Sequence, residues 1–221
     1  MSESSQELAT FRGVEYEVFG SSSGDGNCVR VGRFLFDIGV AFNQINEVLY
    51  DIKAIFITHI HSDHVRPATL NRIKKLFPNI PIYGNWEVKE KFGEQIDYVV
   101  NAGYPVTVDA CEIIPFEVPH DVIVYGYTWY YEGQHFIYST DTWDLKDNDV
   151  IANMKFDGVF IEANYDENKL NEVINNTHYG YDVFAGSHRH LSVQESKAFY
   201  YLHRSSPDAV WVQLHKSSRF Y

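Results

Sequence analysis

The stretch THIHSDH, residues 58–64, sets three imidazoles and a carboxylate within six positions, directly after the apolar run AIFI. Neutral imidazole nitrogen and carboxylate oxygen suit borderline divalent cations, and a catalytic zinc site keeps one coordination position open for water. On an extended segment His59 and His61 share a face, because alternate residues point the same way. Asp63 and His64, on a turn just beyond, can then reach a second ion. Two ions about 3.5 to 4 Å apart need further ligands, ideally including a carboxylate that bridges them. The chain supplies candidates: His120 closes FEVPH, Asp141 closes FIYSTD and His215 closes VWVQLH. Each ends a strand-like run, where side chains from one sheet edge can gather. Taken singly they have plainer readings, His120 and His215 as strand-end histidines and Asp141 as a turn cap, and the cluster itself could be a histidine-rich surface loop.

Positioning such residues requires a sheet-rich scaffold, and the patterning predicts one. Short apolar or alternating runs recur as VEYEVFG, CVRVGRFLFDIG, AIFIT, IPIYG, VIVYGYTWYY, HFIYST, GVFIEA and AVWVQLH, and these read as strands. Two helices are marked. PATLNRIKKLF has Pro67 at its first turn with Leu70, Ile73 and Phe77 on one face. The other follows Ser192 and Glu195, an S-x-x-E capping box ahead of SKAFYYLHR. Many strands interrupted by helices predict two packed sheets flanked by helices.

At 221 residues, with 45% hydrophobic and 16% aromatic content, the chain can bury a substantial core and is not a disordered sequence. No apolar run approaches the roughly 20 residues of a membrane span, so no membrane partner is expected. The opening MSESSQELAT lacks the basic start and apolar stretch of a signal peptide and reads as a polar tail over residues 1–10, ahead of a single domain over 11–221. Cys28 and Cys111 alone make no disulfide framework and no CxxC pattern, so a reducing, cytoplasmic compartment is expected, in a bacterium or a phage-infected cell. A net charge of −12 repels polyanions at long range and argues against a broad nucleic-acid surface.

With these residues in hand, the chain resembles the metallo-β-lactamase-fold hydrolases from about residue 13 to its end. The resemblance implies an α/β (α+β) αββα sandwich of two mixed sheets flanked by helices, with a dinuclear site at one sheet edge. On that pattern His59, His61 and His120 hold one metal, Asp63, His64 and His215 the other, and Asp141 bridges them. Asp37, in FLFDIGV, matches a strand-end aspartate that accepts a hydrogen bond from a ligand imidazole, although a turn-forming Asp before Gly is the plainer reading. The details resemble the tRNase Z and YycJ-like branch, which includes phage anti-Pycsar cyclic-nucleotide phosphodiesterases. FGSSSGDGN is similar to its Gly/Ser-rich first loop, PHDVIVYGYTW to its third motif, and FIEANYD to the segment with a supporting glutamate, here Glu162. HLSVQESKAF followed by LHKSSRFY is similar to its paired ending, a catalytic histidine before a helix and then a ligand histidine. That assigns His190 as proton donor, with His188 two residues away as the alternative. His135, His178 and His203 match no motif, though His178 could lie near a substrate.

The function this resemblance implies is a phosphodiesterase using two divalent ions, zinc or else manganese. Hydroxide from metal-held water would attack phosphorus in line, oriented by Asp63, while His190, supported by Glu162, protonates the leaving oxygen. The helix after Ser192 would point its positive end toward an anionic substrate, and loop residues 21–26 would offer backbone N–H groups or simply form a turn. Only 21 residues separate His120 from Asp141 and 74 separate Asp141 from His215, too few for the long arm of bacterial-type tRNase Z or the extra domain of β-CASP nucleases. A small nucleotide, first a cyclic mononucleotide, is therefore expected as substrate, with a DNA or RNA exonuclease acting on short nucleic acid second and a lactonase or thioesterase third. The resemblance also implies a homodimer.

Overall fold

A computed structural model describes residues 8–22, 24–174, 189–217 and 221. The chain divides into two compact units, residues 1–100 with 108–110 and residues 101–107 with 111–221. The first is built on a seven-stranded sheet in sequential order: β1 (Ala9–Phe11), β2 (Val14–Ser22), β3 (Gly26–Val31), β4 (Phe34–Phe36), β5 (Ala54–Phe56), β6 (Ile82–Gly84) and β7 (Tyr98–Val99). The first four strands run antiparallel, whereas β4 to β7 are mutually parallel. Parallel neighbours need crossovers, and helices α1 (Phe42–Ile45), α2 (Pro67–Leu76) and α3 (Trp86–Phe92) supply them. FLF and AIF are buried at every position, as parallel strands usually are. Pro67 stands at the start of α2, Leu70 and Ile73 are buried, and Phe77 caps the helix while packing on the same core.

The second unit holds a six-stranded sheet ordered β13-β12-β11-β10-β9-β8, from β8 (Val106–Val108), β9 (Cys111–Val118), β10 (Val124–Tyr131), β11 (Gln134–Ser139), β12 (Gly158–Glu162) and β13 (Val210–Leu214). Strands β9 to β11 form an antiparallel meander, and β11, β12 and β13 are parallel. Helix α4 (Glu167–Ile174) follows β12, and helix α5 (Val193–His203) flanks the sheet, where Leu191, Phe199 and Tyr200 pack with Phe116, Phe156 and Ile161 in its core. The Ser192–Glu195 capping box is present at the start of α5. Two mixed sheets with flanking helices are thus the architecture.

Three local departures have physical causes. CVRVGRFLFDIG, read as one run, is two strands paired antiparallel across Gly32–Arg33. The polar tail expected over residues 1–10 is shorter, since Ala9 and Thr10 pair with Tyr16 and Glu15 through a turn whose Arg12 and Gly13 both have positive φ. Helix α3 escaped the apolar periodicity because it is short, although Asn85 caps it by accepting from Val88 N.

Candidate metal centre

In the first unit, β4, β5 and β6 end at one edge, and Asp37, Thr58–His59 and Asn85 follow them directly. Carboxyl ends of parallel strands are where open α/β sheets gather ligand-binding groups. Asp37 is fully buried with φ +59, a left-handed conformation uncommon for residues other than Gly and tolerated best by Asn, Asp and His. Its carboxylate accepts from Thr58 N at 2.8 Å, from Thr58 Oγ1 at 3.0 Å and from His64 Nδ1 at 2.7 Å. With the proton on Nδ1, the lone pair of His64 is on Nε2, the tautomer in which an imidazole can ligate a metal. This is the bond to a candidate ligand imidazole expected of Asp37.

His59 and His61 rings lie 4.6 Å apart, and His59 and His64 rings 4.1 Å apart. Residues 62–64 form the expected turn, closed by His64 N and Val65 N donating to His61 O at 3.1 and 3.0 Å. Asp63 Oδ2 stands 3.6 Å from His64 Nε2. The turn is clamped from outside: Asn27 N donates to Asp63 O at 2.7 Å, Asn85 Nδ2 to Thr58 O at 3.3 Å and Lys91 Nζ to Ile60 O at 2.7 Å. A Cβ on Gly39 would sit 1.7 Å from Asp63 O, so only glycine allows this approach. In the first loop, Asp25 N donates to Ser22 Oγ at 3.0 Å, a local turn, and Asn27 beyond it binds the histidine-rich turn; Ser23 lies outside the described residues.

The second unit repeats the arrangement. Asp141 follows β11, Glu162 ends β12 and His215 follows β13, with Ser139 paired to Ile161 and Glu162 to Leu214. Asp141 and His215 have φ of +52 and +51, so both turn sharply out of their strands. Asp141 Oδ1 lies 3.6 Å from His215 Nε2 and 3.9 Å from His120 Nε2. Asp141, His190 and His215 each place one ligand atom within 4.8 Å of the others. An ion with bonds of about 2.0–2.3 Å reaches donors up to roughly 4.6 Å apart, so Asp141 Oδ1 with the Nε2 atoms of His215 and His120, at 3.6 and 3.9 Å, fits a divalent cation through nitrogen and oxygen donors.

Glu162 is the buried hub. It accepts from Thr142 N at 2.9 Å and from His215 Nδ1 at 3.1 Å, and its Oε1 lies 2.5 Å from His190 Nδ1. Burial pushes this carboxyl up, but the charges and hydrogen bonds of His190 and His215 more than reverse that and hold it below the ordinary carboxylate range. Burial likewise pulls His190 down, and the Glu162 carboxylate outweighs it, leaving the imidazole raised. Asn164 Nδ2 fixes the His215 backbone by donating to its carbonyl at 2.7 Å.

One expectation is corrected. The start of α5 is not open to an anion, because Ser192 Oγ accepts from Glu195 N at 3.1 Å, Glu195 Oε2 accepts from Ser192 N at 3.0 Å, and Ser192 Oγ donates to Glu167 Oε1 at 2.6 Å. Two carboxylates already answer the helix dipole. His135 and His203 are structural, with Nδ1 atoms directed at Lys155 O and Met154 O. His178 and His188 lie outside the described residues. Sequence reasoning gave no role to Asn27, Thr58, Thr142 or Asn164, although Thr58 directly precedes His59 and Asn27 and Asn164 lie within FGSSSGDGN and FIEANYD.

The profile described as a β-lactamase superfamily domain matches residues 33–205. Exodeoxyribonuclease WalJ of Streptococcus pneumoniae is 28% identical over 174 residues, covering 70% of this chain and 64% of WalJ, so the chain spans less than two-thirds of that relative. Human short-form tRNase Z superposes with a TM-score of 0.68 at 18% identity, covering 92% of this chain and 93% of tRNase Z. A diphosphatase of the PhnP family gives 0.64 at 19% identity, with 93% and 87% covered. At such identities the structural likeness speaks for the fold, and the profile match spans most of the sequence: the chain belongs to the metallo-β-lactamase superfamily.

Proposed function

We propose that the chain is a metal-dependent phosphodiesterase acting on a small nucleotide, with a cyclic mononucleotide as the leading substrate. The observation that carries this reading is Glu162 engaging two imidazoles at once, His190 and His215. A buried carboxylate that raises the pKa of His190 favours the form able to hand a proton to a departing alkoxide, a poor leaving group, whereas a thiolate leaves without such help. His59, His61, Asp63, His64, His120, Asp141 and His215 would supply the donors for two divalent ions, with Asp141 shared. Their nitrogen and oxygen chemistry suits zinc and tolerates manganese. Ions bound there would act as Lewis acids toward phosphoryl oxygen and lower the pKa of water to about 7. Asp63 would orient the attacking oxygen, Asp37 keeps Nε2 of His64 as the ligating atom, and Glu162 holds His190 toward the leaving oxygen.

Support for a small substrate comes from the −12 net charge and from the compactness of the segment between His120 and Asp141, which holds β10 and β11 joined at Glu132–Gly133. A second reading, an exonuclease on short nucleic acid, is favoured by the likeness to WalJ. The test is turnover of bis-p-nitrophenyl phosphate, of 2′,3′- and 3′,5′-cyclic nucleotides and of short DNA and RNA oligonucleotides by chelator-stripped protein with zinc or manganese restored. Metal-dependent opening of a cyclic nucleotide at rates above those on oligonucleotides is expected. Preferential trimming of oligonucleotides would replace it with the second reading, and inactivity on every phosphodiester would end both.

A further inference from the structure

Asn27, only 1% exposed, directs its amide at the histidine-rich turn. Nδ2 lies 2.9 Å from His64 Nε2, 3.2 Å from Asp63 Oδ2 and 3.3 Å from Asp63 O. Because Asp37 accepts the hydrogen bond from His64 Nδ1–H, Nε2 presents a lone pair, and the Asn27 amino group donates into it. Exchanging the two ends of the amide would set its carbonyl oxygen against that lone pair and the Asp63 carboxylate, so the neighbours themselves select the amino end. The N–H groups therefore cover two acceptor atoms that a cation on Asp63 and His64 would use. At the other end, Oδ1 is buried without a hydrogen-bond partner, a cost that the amide bears in this position.

We infer that Asn27 tunes metal affinity by competition: its amide occupies the donor atoms of Asp63 and His64, and a cation can take them only by displacing it. This rests on the ligand assignment proposed above. The opposite effect, in which Asn27 preorganises the ligands and tightens binding, would need the amide to hold them in place. Other bonds already hold the backbone of the turn and the His64 ring. Asn27 N to Asp63 O at 2.7 Å, Gly39 N to Asn27 O at 2.9 Å and His64 N to His61 O at 3.1 Å are backbone bonds that survive loss of the side chain, and Asp37 holds the His64 ring independently.

The experiment is a competition titration of stripped wild type, Asn27→Ala and Asn27→Leu with zinc against a chromophoric chelator, reading both stepwise dissociation constants. Alanine removes the amide, and leucine removes it while keeping the volume, so a cavity effect in one variant is checked by the other; melting in chelator verifies that each is folded. One of the two constants should tighten about tenfold in both variants, the scale of one net hydrogen bond, with the other constant little changed. Unchanged or weaker zinc binding in both variants, with wild type still taking two ions, overturns the competition. Failure of wild type to take up any ion would overturn the ligand assignment and this inference with it.

Discussion

His190 and His215 are chemically alike and both turn Nδ1 to one oxygen of Glu162, yet they are assigned different work. The distinction lies in the remaining nitrogen: Nε2 of His215 faces Asp141 at 3.6 Å, whereas His190 stands on the loop just ahead of α5 and is less buried. Replacing His190 by alanine should leave metal content intact and slow turnover by about 10² to 10⁴-fold, the usual worth of a general acid. Metal analysis of the variant decides it, because loss of an ion would make His190 a ligand. These residues were legible because their types and spacing are chemically unusual. Asn27 was not, since nothing in sequence spacing shows that a side chain 36 positions before Asp63 donates to it. Thr142 was equally hidden: it acts through its backbone N–H, which every residue except proline possesses.

At the scale of elements, each unit uses the same device: three parallel strands end together, and residues of left-handed φ turn side chains out of the strand ends. Asp37, Asp141 and His215 all do this. The strand-end placement was readable from apolar runs closed by polar residues, and the capped start of α5 from Ser192 and Glu195. The direction in which that helix start is used was not readable, because Glu167, which answers it, comes from a distant segment. Strands also set the pH response of the second sheet. His135 on β11 is engaged by Thr128 Oγ1 and Lys155 O, and burial pulls its pKa below the ordinary value, outweighing the Lys155 carbonyl and Asp157. As pH falls below about 6.5 the unfolded chain therefore takes up this proton before the folded one does, and stability drops. Urea unfolding between pH 7.5 and 5 should show wild type losing more stability, or gaining less, than His135→Gln as pH falls; the same slope in both would mean that His135 titrates alike in both states.

For the molecule as a whole, the sequence disclosed the fold class because the motifs fall in a fixed order over most of the chain, and 33–205 match the superfamily. Short elements such as β7 and α3 were not disclosed, being defined by neighbours rather than by periodicity. Among the described residues no helix is long and apolar enough to cross a membrane. The −12 charge acquires a local counterweight wherever a divalent ion binds, since the metal is then often the largest charge in its own site. The most direct test of the central claim is therefore the metal content of zinc-reconstituted, desalted protein, measured by inductively coupled plasma mass spectrometry for wild type and Asp141→Ala. About two ions per chain in wild type, and fewer in the variant together with loss of activity, is the predicted result; wild type without bound metal, or a variant holding the full complement, would contradict it.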